Sequence, residues 1–150
     1  MNFLFKNSVL LTALFISTNA IARDEQKMHS LADALNTTAA KEKLDPEIKL
    51  YFGKQKHPKV LAEIGEWRTN KKTNGFNKSD KDACEWTFLS AVLELQERTK
   101  KEGGNAVINI KSNYKGTETI SDTEYMCGSG ALMSGVAFIG TVVKLSNKNP

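Results

Sequence analysis

The sequence predicts an α+β fold, with an antiparallel sheet of about five strands, one long helix packed on one face, and a short N-terminal helix. Three observations lead there. Residues 47–53 alternate Ile48, Leu50 and Phe52 against Lys49 and Tyr51, the period of two of a half-buried strand. Between Ser79 and Lys101, apolar residues recur at spacings of three and four, as on one face of a helix. Residues 135–145 are rich in β-branched side chains and uncharged up to Lys144, as in a buried strand.

In chain order, the first 22 residues read as a cleaved secretory signal. Lys6 precedes an apolar core, Val9 to Ile16, and a small-residue site, Ala20-Ile-Ala22. That core is too short to cross a bilayer of about 30 Å as a helix, and the charged Arg23-Asp-Glu25 follows at once. No cysteine stands near the cut for acylation. The expectation is a soluble periplasmic protein with no integral span in its mature form.

Residues 23–45 form a polar segment in which Leu31, Ala32, Ala34 and Leu35 suit a short helix ending before Asp45-Pro46. Residues 46–150 form a single α+β domain. After the strand at 47–53, the basic connection 53–59 leads to a second strand at 60–69, expected to pair with the first despite imperfect alternation. A polar loop with an Asn-Gly turn signal follows over 70–78. Ser79 caps the long helix, about 80–102; Cys84, Phe88, Ala91, Val92 and Leu95 form its apolar stripe, and Gly103-Gly104 ends it. Strands are expected at 105–114, 122–127 and 135–145, with a small-residue turn or bulge over 128–134. Residues 126–143 carry no charge and reach the length of a transmembrane span, but Gly128, Gly130, Gly135 and Gly140 dilute them and favour buried strand.

The chain has 150 residues and a net charge of +4, falling to +3 without Lys6. One domain fits that length, and so mild a charge does not point to nucleic acid. Two cysteines, Cys84 and Cys127, in an exported chain favour a disulfide over metal binding or catalysis.

A long helix followed by Gly103-Gly-Asn-Ala-Val107, a strand, and then Gly135-Val-Ala-Phe-Ile-Gly-Thr-Val-Val143 resembles the YbjQ-like domains named for heavy-metal binding and the C-terminal domain of the envelope-stress sensor RcsF. Lys49-Leu-Tyr-Phe-Gly53, His57-Pro-Lys-Val60, Thr69-Asn-Lys-Lys-Thr-Asn74, Cys84 and Gly104-Asn-Ala-Val107 together resemble small exported bacterial proteins commonly labelled as the ATPase of excinuclease ABC. The resemblance implies a helix packed on an antiparallel sheet in a disulfide-stabilised envelope domain. That label is a misnomer on chemical grounds, because an excinuclease ATPase needs a phosphate loop and zinc-binding cysteine pairs. The nearest approach, Gly130-Ala-Leu-Met-Ser-Gly135, continues Val136-Ala137 where Lys and Ser or Thr are required.

Two sets of residues are candidates for function. Lys54, Lys56, His57, Lys59, Trp67, Arg68, Lys71 and Lys72 form one basic face if the first two strands pair, suited to an envelope protein or an anionic envelope component. Lys78 and Lys81 extend it. Whether Trp67 and Trp86 are exposed contacts or core is open. His29, His57, Cys84 and Cys127 are the soft ligands available to a metal, but no two stand three or four apart on one element. A Ser-His-acid arrangement would have to recruit His29 or His57, neither in a recognisable nucleophile turn, and His57 with Asp82 is the best available polar cluster for catalysis. The resulting expectation is a non-catalytic periplasmic binding or envelope-associated module, with envelope stress as a candidate setting and without cofactor. A small metal-handling protein is the alternative, and an uncharged C-terminal strand leaves homo-oligomers open.

Overall fold

The computed structural model describes residues 23–147; the signal assigned to 1–22 lies outside them. Three helices and seven strands follow the order β1 (Asp24–Ser30), α1 (Leu31–Asn36), α2 (Thr38–Lys43), β2 (Lys49–Phe52), β3 (Val60–Asn74), α3 (Asp80–Lys101), β4 (Ala106–Tyr114), β5 (Thr117–Thr119), β6 (Glu124–Gly130) and β7 (Met133–Leu145).

Helix α3 matches its sequence signals. The Ser79 hydroxyl accepts from the Asp82 amide, Asp80 and Asp82 occupy the first turn, and Arg98, Lys100 and Lys101 the last, each charge opposing the adjacent end of the helix dipole. Gly103, at φ 77°, ends it. Its buried face carries Cys84, Phe88, Ala91, Val92 and Leu95. Phe88 sits among Phe52, Tyr125 and Phe138, with ring centroids 6.0, 4.6 and 5.7 Å away.

Strand β7 is the spine of the sheet, paired along its length with β3 and over Phe138 to Val143 with β4. Val136, Phe138 and Val142 face α3, whereas Val143 and Leu145 join Ala106 and Ile108 in a smaller cluster under Tyr51 and Val60. Burial on both faces explains why β7 shows no apolar–polar alternation. Among the described residues no helix is long and apolar enough to cross a membrane. The uncharged stretch 126–143 lies largely in the β6–β7 hairpin.

The sheet is mixed rather than antiparallel, and it has seven strands rather than five. β2 runs parallel to β4, Lys49 beside Ala106. The second strand does not pair with the first as expected: β3 pairs with β7, and α3 then returns the chain so that β4 lies along β2. Bulges between Val60 and Ala62 and between Glu63 and Gly65 account for the imperfect alternation of β3. Residues 70–74, read as loop, continue β3 to Asn74. In the N-terminal segment, Asp24–Ser30 is a strand along β6, with Asp24 opposite Gly130 and Ser30 opposite Glu124. Its polar sequence carries no alternation because an edge strand is held chiefly by its ladder. The expected short helix is present as two pieces, broken at Thr37, whose side chain caps the second. β5 adds a short hairpin turning at Lys115 and Gly116, both with positive φ as a two-residue primed turn requires.

Most of the expected 128–134 turn is strand, and glycine is required there for close approach. Gly128 and Gly135 face each other across β6 and β7. The Tyr114 ring packs against both: a Cβ at Gly128 would lie 2.0 Å from its hydroxyl, and one at Gly135 would lie 3.1 Å from its edge. We expect Gly128→Ala to destabilise the protein by about 1–3 kcal/mol. Part of that loss should return in Gly128→Ala/Tyr114→Ala, measured as coupling in a urea-denaturation double-mutant cycle; simple additivity would refute the contact.

Candidate functional site

A bulge in β4 shapes the sheet face away from α3. Pairing with β7 passes from Ile108 opposite Thr141 to Lys111 opposite Ile139, so β4 spends one extra residue, and Asn109 takes φ 52°. Ile110 thereby stays in the core with Val107, while Lys111 emerges on the opposite face. Non-glycine residues at positive φ are uncommon.

Beside the bulge, the chain leaving β2 is clamped by Asp122. Its Oδ1 accepts from the Lys54 amide at 2.6 Å, and its carbonyl accepts from Gln55 Nε2 at 2.7 Å. Gly53, at φ 57°, leaves no room for a Cβ against Ser121 and Asp122. Lys54 is thus fixed at the rim of a cavity of about 290 Å³ lined also by Glu66, Asn109, Lys111, Ile120, Ile139 and Thr141. Lys111 Nζ is 2.7 Å from Glu118, and Glu66 is 3.7 Å from Arg68. The Lys54 ammonium, unlike its backbone amide, has no carboxylate partner among the described residues. The arrangement offers the Lys54 ammonium, the Asn109 amide and the Thr141 hydroxyl beside Ile139, with the Glu66 carboxylate turned to Arg68, a donor set suited to a small carboxylate or phosphate.

The eight residues of the expected basic face are divided. Trp67 and Lys71 lie on the α3 side, Trp67 half-buried against the core under the Arg98 guanidinium (5.8 Å) and Lys71 bonded to Glu94 at 2.8 Å. Lys54 lines the cavity, and Arg68 stands next to it through Glu66. Lys72 lies beside Tyr114 and Gly135. Lys56, His57 and Lys59 belong to the β2–β3 connection, where His57 Nδ1 donates to the Pro58 carbonyl at 2.8 Å and its ring meets Tyr51 edge-on. Further on, Lys78 follows β3 and Lys81 bonds Asp33. Trp86 is exposed, with Lys43 over its ring at 5.1 Å.

His57 and Asp82 are not brought together. Asp82 lines a separate cleft of about 200 Å³ with Thr37, Glu85 and Trp86. The glycines of Gly130-Ala-Leu-Met-Ser-Gly135 stand in an antiparallel hairpin, not in the strand-to-helix loop that cradles phosphate.

A second cluster was invisible to spacing rules. The ligand atoms of His29, Cys84 and Cys127 lie within 4.8 Å of one another. Cys84 and Cys127 are bonded as a disulfide, with Cα atoms 6.0 Å apart. His29 arrives from β1, opposite Tyr125, with the ring centroids 5.6 Å apart. No local periodicity signals this meeting, because its residues come from β1, α3 and β6. Tyr125 is 1% exposed and its hydroxyl has no hydrogen-bond partner among the described residues; burial pushes the phenol well above its ordinary range. Burial likewise lowers His29 below the usual histidine value, against the attraction of Asp80 and Glu85 and aided by Lys27 and Lys81.

A lowered histidine pKa means that the unfolded chain takes up the proton first. His29 therefore contributes stability that is complete above about pH 6.5 and is lost as the pH falls below it. The depressed carboxylates Asp33 and Asp45 lose theirs only in a lower window, below their ordinary value of 3.8. Denaturation midpoints between pH 7.5 and 5 should fall less steeply in His29→Gln than in the parent; equal slopes would exclude this role.

Comparison of the chain with protein-family models, with curated proteins and with solved structures finds no significant match.

Proposed function

We propose that this protein is a non-catalytic, exported binding module that recognises an anionic group of an envelope component. The observation that carries the reading is Lys54, whose backbone Asp122 holds beside the open-face cavity and whose ammonium has no carboxylate partner among the described residues. A leader-like N-terminus and a disulfide suit an oxidising compartment, the periplasm in this reading, and the envelope is rich in phosphate and carboxylate. At about 290 Å³ the cavity accepts a headgroup-sized moiety or one partner side chain rather than a large cofactor. Glycerol phosphate and acetate serve as probes. Titration followed by NMR should give saturable shifts at the amides of Lys54, Asn109 and Lys111, weakened about ten-fold by Lys54→Gln. Non-saturating shifts, or shifts indifferent to Lys54→Gln, would refute the assignment.

A small metal-handling protein is the second reading, favoured by the meeting of His29, Cys84 and Cys127. Thiolate ligands exist only after an external dithiol reduces the disulfide, giving two thiols per protein while the dithiol is oxidised. Two thiolates and one imidazole then match the ligand preferences of zinc or monovalent copper. Zinc titration should show no stoichiometric binding to the oxidised protein and one equivalent bound after reduction, weakened by His29→Ala. Absence of binding to the reduced form would remove this reading.

A further inference from the structure

One end of the sheet carries an apolar tip. Phe76, Leu132 and Met133 are 62%, 62% and 47% exposed and lie on adjoining connections, so they form a patch rather than single exposed side chains. They converge because two connections are fastened together: the Gly75 amide donates to the Leu132 carbonyl at 2.8 Å, and Asn74 pairs with Met133. The Asn74 side chain accepts from the Phe76 amide at 2.8 Å, fixing the backbone of the β3–α3 connection.

The charge around the tip is uneven. Arg23, Lys71 and Lys115 are each bound to a carboxylate, of Asp80, Glu94 and Asp24 respectively. Lys72 lines a hollow with Met133, and Lys78 reaches only the Asn74 carbonyl, at 3.2 Å; neither has a carboxylate partner among the described residues. Apolar side chains at a tip with uncommitted lysines behind them match a bilayer interface, with apolar groups at the acyl boundary and ammonium groups among anionic headgroups.

The position of the chain's start gives an independent reason. Asp24 pairs with Gly130, and a Cβ at Gly130 would lie 3.1 Å from the Arg23 carbonyl oxygen. Arg23, the first described residue, therefore lies beside the β6–β7 turn that carries Leu132. The apolar leader core, Val9 to Ile16, precedes this point in sequence, so an exported chain still joined to its leader has this end tethered nearest the membrane. We infer that the tip formed by Phe76, Leu132 and Met133, flanked by Lys72 and Lys78, docks peripherally on an anionic lipid surface. This goes beyond the anion cavity, which lies toward the other end of β6: Lys54 is bonded to Asp122, two residues before β6 begins.

The test uses the processed protein recovered from its host's envelope, sedimented with vesicles of phosphatidylcholine alone or mixed equally with phosphatidylglycerol. Binding should be stronger to the anionic vesicles and fall with salt. Lys72→Gln and Lys78→Gln should each weaken it about five-fold. Phe76→Ser and Leu132→Ser should each weaken it about ten-fold or more, with unfolding midpoints unchanged because both side chains are exposed. Vesicle binding unaffected by either serine substitution, or no preference for anionic lipid, overturns the assignment. So does a dimer in light scattering that these substitutions dissolve, since the tip is then covered by a second copy. Glycerol phosphate titration at Lys54 should be the same in the tip variants, so the cavity and the tip fail separately.

Discussion

The covalent link from Cys84 to Cys127 ties α3 to β6, whose ladder with β7 is only two residue pairs long. β6 meets β7 only at Gly128–Gly135 and Ser129–Ser134 and then diverges, carrying β1 on its outer side. Once it leaves β7, its attachments include the link to Cys84 in the second turn of α3, the packing of Tyr125 on Phe88, and the Ser112 hydroxyl accepting from the Met126 amide. Closing a loop of 43 residues stabilises by roughly 4 kcal/mol in the chain-entropy model, comparable with the whole net stability of many small domains. The β1–β6 ribbon, and with it His29, is covalently tied to the core helix by that bond.

Elements with a side-chain signature are legible in the sequence. α3 announces itself through the Ser79 cap, its apolar stripe and the Gly103 stop, and β2 through alternation around Leu50 and Phe52. β7 is legible as buried because it lacks charge, yet its central position is not, since nothing local shows that three strands pair with it. β1 is the opposite case. Asp-Glu-Gln-Lys-Met-His-Ser has no strand-like pattern, because the order comes from the backbone of Glu124–Gly130 a hundred residues away. The parallel pairing of β2 with β4 is likewise a property of the route taken by the chain between them.

The same distinction governs the site. Lys54 is found by composition, since a basic loop after a strand is visible in the sequence, but the cavity beside it depends on the extra residue in β4 at Asn109. Adding up lysines along the chain treats Lys54, Lys71 and Lys72 as one surface. Alternation within β3 instead sends Lys71 to Glu94 on α3 and Lys72 to Tyr114 on the far side. Charge becomes informative only after its partners are known: Lys71, Lys81, Lys100 and Lys111 are each committed to a carboxylate, and Lys54 is not.

Pairing β1 with β6 also orders events in time. In a chain delivered N-terminus first, Asp24–Ser30 emerges early and waits for most of the polypeptide before its partner strand appears. Cys84 waits 43 residues for Cys127. β3 cannot complete its ladder until Met133–Leu145 has arrived, and the same strand joins β4 and β6 to it, so the sheet is closed by its last strand. Such non-local closure makes folding slow and leaves β1 and β3 with unpaired edges meanwhile. The charges on those two strands, from Glu25 and Lys27 to Glu63, Glu66 and Lys72, then guard the waiting edges against pairing with another chain.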